Sequence, residues 1–223
     1  MKKRVAQLAF YGVYCVLALI GLLLDFGVFG GGISTRPFVY YTSLSNMLCS
    51  AFIAISLVRT LAHREVESWQ RGKYVFVVMI LVTAIVYNLL LNPYSSLLAY
   101  FSSVKNALYH LVLPVMFVLD WIFFYRRGTV KPHDPLVAAI IPLVYVIYIL
   151  VRAFAVKSAG ITVSVLYPYF FLNVDRLGWH SFILWMGALL VMLLLLGYGL
   201  YGLDRLLNRK TLRKKKIPET SAR

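Results

Sequence analysis

The sequence predicts an all-α fold, a polytopic membrane bundle of six transmembrane helices with cytoplasmic N- and C-termini, on three observations. Hydrophobic residues make up 61% of the chain and charged ones 14%, and the mean hydropathy is +0.79, far from the balance of a soluble protein. The apolar residues fall in six runs, each near the ~20 residues that cross a bilayer as a helix. Lys and Arg gather at alternate ends of those runs. With 223 residues spent on six crossings, one integral membrane domain over 1–223 is expected, with no separate soluble domain.

The first run, about 5–29, follows Lys2, Lys3 and Arg4 in the manner of a secretory signal, but it is long and carries no small-residue cleavage site, so it reads as a retained first span. It ends with Asp25 near its outer edge, and Gly30-Gly31-Gly32 turns the chain into a second span over about 37–61. A charged loop containing Arg59, His63, Arg64, Glu65, Glu67, Arg71 and Lys73 leads to a third span, 75–91, which closes with Asn88, Asn92 and Pro93. The segment Tyr94 to Lys105 is semi-polar and reads as interfacial. A fourth span, 106–124, carries His110, Pro114 and Asp120. The fifth covers 135–154 and the sixth 181–201, followed by a basic tail, 205–223. The connection of some 25 residues between the last two spans includes Tyr167-Pro168-Tyr169-Phe170-Phe171, too apolar for a solvated loop. Its aromatic rings with polar tips suit the headgroup level, so it reads as a partly inserted cap on the outer face.

Eighteen Lys and Arg lie at the N-terminus, the second and fourth loops and the tail, against four in the other loops, which puts both termini in the cytoplasm of a cell-membrane protein. The same placement accounts for the net charge of +15: each basic cluster sits just cytoplasmic of a span, where anionic lipid meets it. Nucleic acid is therefore not an expected partner. Cys15 and Cys49 both fall within spans, without ligand-like spacing to histidine, and read as reduced packing residues. Neither a metal site nor a cofactor is expected, and the oligomeric state is left open.

Polar residues inside a bilayer cost a few kcal/mol each and face the bundle interior or mark function. Thr42, Ser45, Asn46 and Cys49 follow i, i+3, i+4, i+7 and share one face of the second span. Asn106, His110 and Asp120 fall within one broad face of the fourth. Thr42 lies about five residues below the outer start of its span and His110 about four, so at ~1.5 Å per residue both sit in the outer leaflet at nearly equal height. Asp25 and Asn88 reach the same layer, whereas Asp120 lies ~15 Å deeper than His110. A hydroxyl and an imidazole at one depth are the minimum kit for nucleophilic attack on a lipid ester. The blander readings are a threonine bonded to its own i−4 carbonyl, aspartates that glue helices together, and a Pro114 that merely kinks its helix, although it also removes the α-helical donor to the His110 carbonyl.

Tyr41-Thr42 leading into Ser45-Asn46, Asn106 and His110 followed by Pro114 and Asp120, and Tyr167-Pro168-Tyr169-Phe170-Phe171 occur in that order across six spans. Together they resemble three segments of the androgen-induced and androgen-dependent family of transmembrane threonine hydrolases and the six-helix bacterial membrane proteins grouped with them. In the animal members an Asn lies three residues after the threonine, whereas Asn46 lies four after Thr42.

The resemblance implies hydrolysis of fatty-acid esters of hydroxy fatty acids or similar lipids, with Thr42 as nucleophile, His110 as general base and a lipid bearing an acyl chain as partner. Asn46, Ser45 or Asn88 as oxyanion donor, Asp25 as the group that orients the imidazole and Asn106 as further support are expectations from depth and position alone. Two other functions fit the same polar layer: a transporter or binding protein for a small solute or proton, and a membrane acyltransferase in which another alcohol replaces water.

Overall fold

In a computed structural model that describes residues 2–64, 67–92 and 96–216, the regular structure is all helical. Glu65, Pro93, Tyr94 and residues 217–223 of the basic tail lie outside the described residues. Six helices are long and apolar enough to cross a membrane: Lys2–Gly30, Tyr41–Leu61, Trp69–Leu91, Val104–Phe124, Asp134–Ser158 and Val174–Arg209. This is the architecture of a multi-pass membrane protein. The first two crossings are α1 (Lys2–Asp25) and α2 (Tyr41–Leu61). The third is α3 (Glu67–Val86) continued by a π-helical turn, Tyr87–Leu91. After a short α4 (Leu97–Phe101), the fourth is built from α5 (Val104–Ala107), a second π-helical turn (Leu108–Val112) and α6 (Leu113–Phe124). α7 (Asp134–Ser158) and α8 (Val174–Lys216) complete the chain.

The bundle is organised around α3, which packs against α2, α6, α7 and α8. Four consecutive residues of α3, Val77, Val78, Met79 and Ile80, are fully buried, which only a helix surrounded on all sides achieves. The outer helices instead keep apolar side chains outward, such as Val13 and Val16 on α1 and Ile147 and Val151 on α7, the surface that a lipid environment favours. Because lipid tails are as apolar as leucine, polar contacts and close packing hold such helices together. Ser45 Oγ on α2 meets Thr83 Oγ1 on α3 at 2.7 Å, and the Tyr74 hydroxyl of α3 donates to the Gly197 carbonyl of α8 at 2.6 Å. α1 approaches the histidine segment so closely that a Cβ at Gly21 would lie 2.7 Å from the Tyr109 ring.

Element boundaries depart from the sequence reading in two informative places. The third crossing starts early enough to bring Lys73 into α3, not into a charged loop. Its side chain is 1% exposed, with Nζ 2.9 Å from Asp120 Oδ2 on α6 and 3.1 Å from the Tyr11 hydroxyl on α1. Burial is possible because the opposite charge and the phenol replace water. One helical turn from Val174, broken at Gly178, precedes the long last helix expected near Ser181, so the irregular connection covers only 159–173 in place of some 25 residues. Asn173 caps the new start, its Oδ1 accepting from the Arg176 N–H at 3.1 Å, and Gly178, at φ 70°, takes a break that a residue with a side chain rarely adopts.

Candidate functional site

Thr42 is the second residue of α2, whose hydrogen-bond ladder begins with the Leu44 N–H donating to the Tyr40 carbonyl at 3.1 Å. Its own N–H therefore has no acceptor within the helix. That donor reaches the Tyr169 hydroxyl, at 3.3 Å, and the Thr42 Oγ1 lies 3.4 Å from the same phenol oxygen. Tyr169 belongs to the connection between α7 and α8, which Arg152 of α7 pins down by donating to the carbonyls of Val165 and Leu166 at 3.0 and 3.1 Å. Burial pushes the Tyr169 phenol above the ordinary tyrosine range, with the two Thr42 contacts pulling the other way, so it is a protonated donor at neutral pH.

His110 sits on the π-helical turn Leu108–Val112, and Tyr87 on the π-helical turn Tyr87–Leu91. Their rings stack at 3.3 Å and 10°. Such turns widen a helix locally and recur at functional sites. One physical contributor is in the sequence: Pro114 lacks the N–H that would bond the His110 carbonyl. The Asn88 amide supplies a donor instead, 3.2 Å from that carbonyl, while also bonding the Ala84 carbonyl at 2.8 Å. Among the described residues, the buried His110 Nδ1 has no hydrogen-bond partner.

Thr42 and His110 line one chamber of about 650 Å³, together with Asp25, Asn106, Tyr87 and Tyr169. A narrower apolar crevice of about 90 Å³ runs off between α3, α7 and α8, and Thr42, Tyr87, Leu91 and Tyr169 line both spaces. The threonine hydroxyl thus stands where a polar chamber meets an apolar one. Among the described residues, no hydrogen bond within 3.5 Å joins Thr42 to the imidazole; its hydroxyl partner is Tyr169.

The other sequence candidates take different places. Asp25, expected to orient His110, pairs with Lys105 at 3.2 Å, and its second carboxylate oxygen is buried without a hydrogen-bond partner among the described residues. A full positive charge one turn before His110 competes better for a carboxylate than an imidazole does. Asn106 is buried and donates to the Tyr100 carbonyl at 3.4 Å. Ser45, Asn46 and Asn88 do not line the chamber. Asn46 donates to the carbonyls of Thr42 and Tyr109, at 2.9 and 3.1 Å, and so staples the threonine segment to the histidine segment. Ser45 donates to the same Thr42 carbonyl at 3.0 Å or shares its proton with Thr83. These three residues spend their donors on scaffolding and not on the cavity.

Sequence reasoning assigned no role to Tyr87 or Lys105, and it placed Tyr169 in a cap without a partner. Tyr169 had a signal, a phenol in an apolar segment expected as a partly inserted cap on the outer face. Tyr87 had none, being one aromatic residue in an apolar span. In comparisons with known proteins, no family model, no curated protein and no solved structure matches this chain.

Proposed function

We propose that the chain is an intramembrane lipid ester hydrolase of the cell membrane, with Thr42 as nucleophile and His110 as general base. Fatty-acid esters of hydroxy fatty acids, or similar lipids, are its substrates. The observation that carries this reading is the position of Thr42 at the junction of a polar chamber shared with His110 and an apolar crevice. A lipid ester divides in the same way, with an acyl chain on one side of its carbonyl and oxygen atoms on the other. The charge distribution, with Lys and Arg concentrated at the ends of the chain and in the second and fourth loops, orients the chamber toward the outer leaflet.

In this mechanism the Thr42 Oγ forms a bond to the acyl carbonyl carbon while its proton passes to His110, directly as the chamber closes on substrate or through one water. Collapse of the tetrahedral adduct breaks the bond to the alcohol oxygen, which takes the proton from His110. Water then attacks the acyl-threonine by the same route, releasing the fatty acid and restoring the hydroxyl. Among the described residues the Nδ1 has no hydrogen-bond partner, so the ring, its plane held by the Tyr87 stack, keeps a nitrogen uncommitted beside the chamber, as a histidine fixed by two hydrogen bonds would not.

The test is labelling of detergent-purified protein with a long-chain fluorophosphonate, alongside hydrolysis of a fatty-acid ester. Wild type is expected to label and hydrolyse, Thr42→Ala to do neither while remaining monodisperse, and His110→Ala to lose at least ~10²-fold in rate. Full labelling of Thr42→Ala removes it as nucleophile. Wild type inert to both probe and ester points to solute binding or transport in the same chamber.

A further inference from the structure

The hydrolase reading leaves open what receives the negative charge of the tetrahedral adduct. Every amide and serine expected there is committed elsewhere. Both hydrogens of the Asn46 amide go to the carbonyls of Thr42 and Tyr109, and both of the Asn88 amide to those of Ala84 and His110. Ser45 is occupied by Thr42 O and Thr83, and none of the three lines the chamber.

Resting on that reading, we infer that the oxyanion pocket is formed by the Tyr169 hydroxyl and the Thr42 backbone N–H, so that the connection between α7 and α8 completes the active site. Thr42 N and Thr42 Oγ1 lie 3.3 and 3.4 Å from one phenol oxygen, a compact triangle around the attacking atom. An oxygen on the carbon bonded to Oγ1 sits ~2.3 Å from Oγ1, which lets it lie beside both the Thr42 N–H and the phenol, at the ~2.7–3.1 Å from each that such donors need. In the free protein the phenol oxygen accepts the Thr42 N–H, and the phenol proton has Oγ1, the Tyr145 oxygen or the chamber to point at. As the Oγ1–carbon bond forms, the carbonyl electron pair moves to its oxygen, which accepts from both the amide and the phenol. When the adduct collapses the pair returns, and neither donor gives up its proton.

Two further features favour negative charge at this point. Thr42 lies in the first turn of a helix of 21 residues, where the unpaired N–H groups and the aligned peptide dipoles carry partial positive charge. The Tyr169 ring is held by edge contact with Tyr40 at 6.0 Å and by stacking on Phe171 at 5.3 Å, so its hydroxyl is fixed before substrate arrives. A donor already in place loses no energy in reorganising as charge develops.

The experiment compares wild type, Tyr169→Phe, Tyr169→Gln and Thr42→Ala as full chains in detergent. It measures kcat and KM on a fatty-acid ester, and the rate of fluorophosphonate labelling per monodisperse protein. Tyr169→Phe keeps the ring packing and removes only the donor, so kcat is expected to fall ~10²–10³-fold with KM changed less than about threefold. Labelling, whose phosphoryl oxygen occupies the same pocket, slows in proportion. Tyr169→Gln, which restores an N–H donor, is expected to recover part of the lost labelling rate. A kcat for Tyr169→Phe within about threefold of wild type overturns the oxyanion assignment, and so does a loss that appears in KM alone. If Thr42→Ala remains active or labels normally, the hydrolase reading itself fails. Activity abolished in Thr42→Ala but intact in Tyr169→Phe leaves that reading standing and removes only the role of Tyr169.

Discussion

The two ends of the bundle differ in what surrounds their buried polar groups. At the end where α1 begins and α2 ends, buried charges meet opposite charges: Lys73 faces Asp120, Arg71 faces Asp134 and Arg127 faces Asp204. Arg4 adds a cap there, donating to the final carbonyls of α2, those of Thr60 and Leu61, at 3.1 and 3.0 Å. At the other end, the Asp25 Oδ2, the Asn46 Oδ1 and the His110 Nδ1 are buried without hydrogen-bond partners among the described residues, and Asp25 and His110 line a chamber. Buried polar groups are nearly always satisfied in folded proteins, so unsatisfied groups beside a cavity mark where a ligand's polar atoms belong. Charge pairs dominate the first end, and the chamber sets the second apart.

The largest effect expected from this contrast is on stability at the paired end. Asp120→Ala leaves the Lys73 ammonium buried beside Tyr11 alone, and loss of one partner of a buried pair costs ~3–5 kcal/mol. A steep fall in melting temperature is therefore expected. Lys73→Met combined with Asp120→Leu removes both charges and is expected to restore most of the loss, with labelling at Thr42 close to wild type per folded protein. An Asp120→Ala variant that melts like wild type breaks the comparison, because the pair would not be an anchor. A double variant that folds but no longer labels would place this pair in the chemistry.

An intermediate effect is expected at Asn46, which belongs to the site end but works as scaffold. Asn46→Ala deprives the carbonyls of Thr42 and Tyr109 of a donor, at ~1–3 kcal/mol for each group left unsatisfied. Because those carbonyls belong to the threonine and histidine segments, the labelling rate should fall together with the melting temperature. Melting curves and labelling rates measured on the same preparation check this. An unchanged labelling rate in a destabilised Asn46→Ala would show that the two segments keep register without the staple.

Six long apolar helices were legible in the sequence by counting residues at a fixed rise, and the same count put Thr42 and His110, which line one chamber, at one level. The i, i+3, i+4 pattern placed Ser45 and Asn46 on an inward face but said nothing of what their donors would meet. That depends on the Tyr109 carbonyl and on Thr83, which other helices bring in. Lys73 read as a loop charge because its partner lies 47 residues away, and a buried ion pair leaves no local pattern. Asp25 shared a layer with His110, but depth alone did not show that Lys105 would take its carboxylate. Tyr169 lay in a segment without helical periodicity, so its place in an outer cap was readable and its direction was not.

The smallest effect concerns the bond between the two π-helical turns, and it bears on whether the freedom of His110 is built in. Pro114 withholds an N–H from the His110 carbonyl and Asn88 replaces it from α3's continuation, so the two residues act on one oxygen. Asn88 is exposed, and a single hydrogen bond of this kind contributes ~1 kcal/mol. Asn88→Ala is therefore expected to slow fluorophosphonate labelling by about fivefold. Pro114→Ala returns a backbone donor to the same carbonyl, so the double variant is expected to label faster than Asn88→Ala alone. The coupling is the informative quantity, since residues that serve one acceptor show non-additive effects. Strict additivity in the cycle would mean that Asn88 and Pro114 shape the two turns independently. The stacked Tyr87 would then be left as the main constraint on the His110 ring.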